Sequence, residues 1–174
     1  MRFEADHRAS VEGIQAYYMS RVTVNETALQ SYGQMLIRSL ITLNAGAAIA
    51  YPTVAELLLQ RVPIEAVMWP VCLSVLGVIL GLLCGWAAYF NHSLNSHFFD
   101  SSMEEAILKA DEHFDNETYH QFRTWRKESK EWYASYIEKT EKRSNQFYWA
   151  ANILGFMSAF SMATSLVLFG WTIS

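Results

Sequence analysis

Ala66–Phe90 reads AVMWPVCLSVLGVILGLLCGWAAYF, twenty-five consecutive residues without an Asp, Glu, Lys, Arg or His. At about 1.5 Å of rise per residue, a helix of this length covers about 37 Å, enough to cross a hydrocarbon core about 30 Å thick. Within it Gly77, Gly81 and Gly85 recur every fourth residue, which places three glycines on nearly one helix face. Such a face admits a second helix closely, and in lipid that packing stands in for the hydrophobic effect. The stretch predicts a transmembrane helix over 66–90 with a seam for a neighbour and its other faces toward lipid.

Two further blocks are uncharged. Ser39–Ala55 is bracketed by Arg38 and Glu56, both near enough to the ends of a span to reach the headgroups. It predicts a first span over 36–59, with Pro52 expected to kink or restart the helix. Gln60–Glu65, with Pro63, is too short a link for anything but an antiparallel neighbour. Ser144–Ser174 is the other uncharged run and predicts a third span over 148–172. Of the 174 residues 52% are hydrophobic and 17% charged, below the roughly one quarter usual in soluble domains. A net charge of −4 gives no general attraction for nucleic acid. Cys72 and Cys84 share the central span about 18 Å apart along its axis, beyond disulfide reach and without metal-site spacing. No cofactor is implied. Met1–Arg8 lacks the basic segment and apolar run of a cleaved signal, so the first span is expected to direct insertion.

The rest of the chain is polar and helical in pattern. Over 1–35, Ser10 suits a helix N-cap after a frayed start, and Val11, Ile14, Tyr18 and Val22 follow at helical spacing as an amphipathic helix. Over 91–147, Met103, Ile107, Ala110 and Phe114 form one stripe; Phe122, Trp125, Trp132 and Tyr136 form another at heptad-like steps. No Gly or Pro falls between Asp100 and Ile153, which predicts a long helix running on into the third span.

Basic residues give the orientation. Twelve of the thirteen lie in the N-terminal arm or the charged block, and only Arg61 in the short link. The positive-inside rule then places the N-terminus and the charged block in the cytoplasm and the C-terminus outside. Trp86, Tyr89, Tyr148 and Trp149 mark one interface; Tyr51, Trp69 and Trp171 mark the other. The expected fold is an all-α integral membrane protein with three transmembrane helices and a cytoplasmic helical layer, assembled as an oligomeric bundle.

Catalytic signatures are missing: there is no G-x-S-x-G, H-E-x-x-H, P-loop or dinucleotide glycine fingerprint. The five histidines lie outside the spans, which argues against an intramembrane Ser–His hydrolase. The chain is not expected to be an enzyme. His113, Glu117 and His120 share a helix face and could ligate a metal, or simply form an exposed polar face. Arg123, Trp125, Arg126, Lys127, Lys130 and Trp132 interleave cations with aromatics, the combination that holds phosphates and stacks bases. The same spacing also fits an amphipathic helix with solvated charges.

Polar stripes inside the spans carry the more specific signal. Ser39, Thr42, Gly46, Thr53 and Glu56 fall within a narrow arc of the first span, with Asn44, Ala48 and Tyr51 opposite. The arc could line a water-filled path, Glu56 favouring cations at its outer mouth. Ser158, Ser161 and Ser165 on the third span could do the same; in either span the alternative is hydrogen bonding inside a dry bundle. Three spans cannot enclose a pore alone, so conduction requires a homo-oligomer. The ladders Gly77/Gly81/Gly85 and Ala151/Gly155/Ala159/Ala163 supply close-packing faces.

Leu43-Asn44-Ala45-Gly46-Ala47-Ala48 resembles the first span of a group of small prokaryotic multi-span proteins, which carry a Leu-Asn-Gly-Gly-Ala-Ala-like stretch there and a charged helical segment before the last span. Ala45 stands where that pattern has glycine. Some such proteins resemble anti-phage effectors, whose oligomeric channel disturbs the bacterial inner membrane on a nucleotide signal. The resemblance implies an oligomeric channel gated at its cytoplasmic layer by a nucleotide, an oligonucleotide or a soluble partner encoded nearby. The competing expectation is a non-conducting anchor that recruits a soluble partner through the charged helix.

Overall fold

The computed structural model describes residues 2–28, 31, 33–59, 64–113 and 123–173, and within them the side chains other than those of 2–5, 28, 58–59, 64, 112–113, 123–126 and 173. Among the described residues there are four helices: α1 (Arg2–Ala28), α2 (Gln34–Leu59), α3 (Ile64–His113) and α4 (Arg123–Ile173). Three of them, α2, α3 and α4, are long and apolar enough to cross a membrane. Helix α2 runs on through Pro52. Helix α3 has 50 residues and α4 has 51; the absence of Gly and Pro from Asp100 to Ile153 lets α4 pass from the charged block into the last span unbroken. The expected metal trio falls on His113, whose side chain is not described, and on Glu117 and His120, which lie outside the described residues. Pro63, Phe114 and Phe122 also lie outside them.

The helices divide into two units, Gln30–Tyr89 with Phe147–Ser174 and Met1–Leu29 with Phe90–Gln146. In the first unit α2 and α3 are antiparallel, because Ile37, Ile41 and Asn44 meet Gly85, Gly81 and Gly77 in that order. Helices α3 and α4 are antiparallel too: Cys84 bonds Ala151, Ser158 bonds Gly77, and Ser165 bonds Pro70. Tyr51, Ala55, Val67 and Phe169 form an apolar cluster toward the far end, with the Tyr51 and Phe169 rings stacked at 4.4 Å. The central span is thus covered on two sides. Beyond the glycine face, Pro70, Ser74, Leu80, Cys84 and Ala87 are buried; its outer side presents Val75, Leu76, Ile79, Leu82 and Leu83. The sequence suggested lipid on every face except the glycines, and α4 occupies one of those faces because its serines bond α3 carbonyls.

In the second unit α1 begins at Arg2, eight residues before the expected cap at Ser10. His7 Nε2 donates to Asp111 Oδ1 at 2.7 Å, which ties down the N-terminal part of α1. Val11, Ile14, Tyr18 and Val22 are half-buried while Glu12, Gln15 and Arg21 are exposed. Met103, Ile107 and Ala110 are also half-buried and Leu108 is buried. Ser144 lies 2.7 Å from Asn91 Oδ1 and 2.6 Å from Asn95 Oδ1. One hydroxyl proton serves only one of these oxygens, so the other amide must turn its nitrogen toward Ser144.

Candidate functional site

The spans carry two polar clasps, one heptad apart on every helix. In the first, fully buried Asn44 donates through Nδ2 to Leu40 O at 2.9 Å and to Ser158 Oγ at 3.3 Å, and Ser158 donates to Gly77 O at 2.8 Å. In the second, fully buried Ser165 lies 2.9 Å from Pro70 O, 2.9 Å from the Tyr51 hydroxyl and 2.7 Å from Ser74 Oγ. With a single proton to give, Ser165 donates to the Pro70 carbonyl and accepts from the two hydroxyls. Ser161 adds a bond to Leu73 O at 2.5 Å. Seven-residue steps from 44 to 51, 158 to 165 and 77 to 70 bring one member from each helix into each clasp. Every bond joins groups that lipid could not satisfy.

Asn44 Oδ1 is buried with no N–H or O–H partner. It lies against the Cα of Gly77, where only a C–H is on offer, and a methyl group at Gly77 would overlap the carboxamide. At Gly81 and Gly85 an added methyl would stand 3.1 Å from Ile41 and 3.3 Å from Ile37. At Gly155 it would meet Cys84 Sγ at 3.5 Å, and Ala151 is half-buried beside it. Ala159 and Ala163, the rest of that ladder, are exposed.

The first-span arc lies on the opposite side of α2. Ser39, Thr42, Gly46, Thr53 and Glu56 are all exposed, and an added methyl at Gly46 would meet nothing within 4 Å. Ser39 and Thr53 return their hydroxyl protons to Met35 O at 2.8 Å and Ile49 O at 3.2 Å, which leaves oxygen lone pairs outward. Ser158, Ser161 and Ser165, by contrast, bond to α3 inside the chain. Ser39 and Thr42 at one end of the arc, with Arg38 beside them, border a cleft of about 520 Å³.

Contacts fix depth along the bundle. Ile37 packs on Gly85, so Arg38 lies within about one turn of the level of Trp86, which with Tyr89, Tyr148 and Trp149 is exposed. At the other end Ala55 clusters with Val67 and Phe169, so Glu56 lies within about one turn of the level of exposed Trp69 and Trp171. Seventeen residues of α3 separate its two tryptophans, about 25 Å, a spacing that suits the two rims of a hydrocarbon layer.

Of the cation–aromatic group, Lys127 is exposed and Lys130 half-buried. Trp132 is 58% exposed and stacks on Tyr136 at 5.2 Å with its edge toward Tyr133. The side chains of Arg123, Trp125 and Arg126 are not among those described. No group of three or more metal-ligating side chains occurs among the described residues.

No protein-family model, curated protein or solved structure matches the chain. Its geometry has to carry the functional reading.

The sequence does not show the clasps as units. Asn44 and Tyr51 stood out as a second polar side of the first span, and the three serines as a stripe; the shared seven-residue step was the signal that pairs them. Ser165→Ala would leave the Tyr51 and Ser74 hydroxyls without their acceptor in a dry junction. It is expected to lower bundle stability by about 1–2 kcal/mol, the upper range for interhelical hydrogen bonds in membranes. Ser39→Ala, on the exposed arc, should change it by less than about 0.5 kcal/mol. Unfolding of the purified protein in mixed detergent micelles checks both.

Proposed function

We propose that the chain is the subunit of an oligomeric membrane channel, with its conduction path along Ser39, Thr42, Gly46, Thr53 and Glu56. The observation that carries this reading is the division of α2 into two polar faces. Asn44 and Tyr51 are used inside the chain, whereas the arc is turned outward at membrane depth. Polar groups at that depth are costly against lipid and are favoured where they face water or another helix. A ring of copies with α2 innermost would give the arc water and place Glu56 as a carboxylate ring at one mouth.

In this reading the N-terminus and the charged block are cytoplasmic, the C-terminus is outside, and the membrane is the bacterial inner membrane, following the basic residues. Exposed Trp132 stacked on Tyr136, with Lys127 nearby in sequence, supports a nucleotide or partner contact in the charged helix. The signal would act by binding one of two bundle states more tightly. The resemblance of Leu43–Ala48 extends the proposal to a defence effector. The same exposed Trp132 favours the second reading, an anchor that docks a soluble partner without conducting.

Ion flux in liposomes holding the purified protein tests the choice. Flux is expected, with preference for cations reduced about fivefold by Glu56→Gln, because one charge about 4 Å from an ion is worth about 1 kcal/mol even in water. No flux under any nucleotide condition would leave the anchor; flux with unchanged selectivity would remove Glu56 from the path.

A further inference from the structure

The polar face of α2 continues past the uncharged span to Arg38, Gln34 and Ser31, which precedes the helix. Gln34 and Arg38 are one turn apart on the same face of α2, and Ser31 joins them at the same cleft. They line the cleft of about 520 Å³, with Met35 and Leu43 along its flank. Arg38 is exposed, and no described carboxylate pairs with it. Its depth is set by Ile37 against Gly85, within about one turn of the exposed Trp86. That is the headgroup layer, where tryptophan and tyrosine side chains collect. An unpaired guanidinium there, beside an amide and a hydroxyl with protons to donate and two apolar side chains, matches an anionic phosphate joined to an apolar tail. The fork of the guanidinium can grip two phosphate oxygens at once.

We propose that this cleft is a binding site for an anionic phospholipid, with its phosphate on Arg38, Gln34 and Ser31 and its glycerol end against Met35 and Leu43. The Ser39 hydroxyl proton is committed to Met35 O, so Ser39 borders the site without donating to the phosphate. The three donors sit at one end of the arc; Gly46 lies deeper, and Thr53 and Glu56 lie toward the opposite rim. The site does not depend on conduction: headgroup preference is measured without flux, so a chain that conducts nothing can still show it.

The test is electron spin resonance of the full chain in phosphatidylcholine vesicles carrying spin-labelled phosphatidylglycerol or spin-labelled phosphatidylcholine. The motionally restricted fraction is expected to favour phosphatidylglycerol by about fivefold, the scale of one basic residue at a membrane surface. Arg38→Gln should abolish the preference. Arg38→Lys keeps the charge but not the fork, and Gln34→Leu combined with Ser31→Ala keeps Arg38 but removes its companions; each should lose at least about half of it. All these positions are exposed, and helicity by circular dichroism checks the fold. A preference that survives Arg38→Gln, or one that Arg38→Lys and the double variant leave intact, would overturn the site in favour of a diffuse surface charge. Displacement of the labelled lipid by inorganic phosphate would overturn the lipid as occupant.

Discussion

Gly77→Ala is expected to destabilise the three-span bundle by about 2–3 kcal/mol, more than any other single-methyl change in the spans. Overpacking a close contact costs about 1–3 kcal/mol, and here the displaced group is not a loose side-chain end. The Asn44 carboxamide is fully buried and bonded to Leu40 O and Ser158 Oγ, so a methyl at Gly77 must either push α2 away from α3 or expel the amide from those bonds. Expulsion would leave a buried amide unsatisfied in a region without water. The double variant Gly77→Ala with Asn44→Ala removes both the clash and the amide, and should recover most of the loss. That coupling is the measurable quantity. Gly46→Ala serves as the control, because its added methyl meets nothing within 4 Å. Unfolding by increasing denaturing detergent reads the parent, both single variants, the double variant and the Gly46→Ala control. Additive single losses, or a Gly77→Ala protein as stable as the parent, would mean that α2 and α3 do not meet through this pair.

The glycine series was legible in the sequence as a seam because its fourth-residue spacing is a property of one helix. The identity of the partner was not, since nothing within Ala66–Phe90 says which of two neighbouring spans fills it. Ile37, Ile41 and Asn44 fill it, and α4 takes the adjoining face through Ser158, Ser161 and Ser165. Hydroxyl-to-carbonyl bonds of that kind leave almost no trace in a single sequence. Every helix offers carbonyls at every turn, so serine alone does not name its acceptor. Pro70 shows the same difficulty. Its ring removes a donor from α3 and leaves the Ala66 carbonyl short of its usual partner; Thr172, 106 residues on, stands 3.5 Å from that oxygen. The three long apolar helices were readable because apolar length is counted along the chain; the clasps depend on which faces meet across it.

The second large effect separates the two outward readings of α2. Gly46→Leu should leave the fold intact and reduce flux by about tenfold or more. Within the chain the position is exposed and a first added carbon meets nothing within 4 Å, so the larger side chain is expected to extend outward, and it also improves helix propensity by about 1 kcal/mol. In a ring with α2 innermost the same carbons come from every copy and narrow the path at one level, where an apolar constriction closes by dewetting as well as by bulk. Thr42 and Thr53 flank that level on the same arc, so a leucine ring there has no polar way around it. Detergent unfolding and crosslinked oligomer size, compared with the parent protein, show whether fold and assembly survive. Loss of flux with both preserved would place water along the arc. Full flux with both preserved would take the arc off the path and turn it toward lipid, where Ser39 and Thr53 are tolerable because each returns its proton to its own helix. Since Gly46 has no role in either clasp, neither result can be a disguised stability effect.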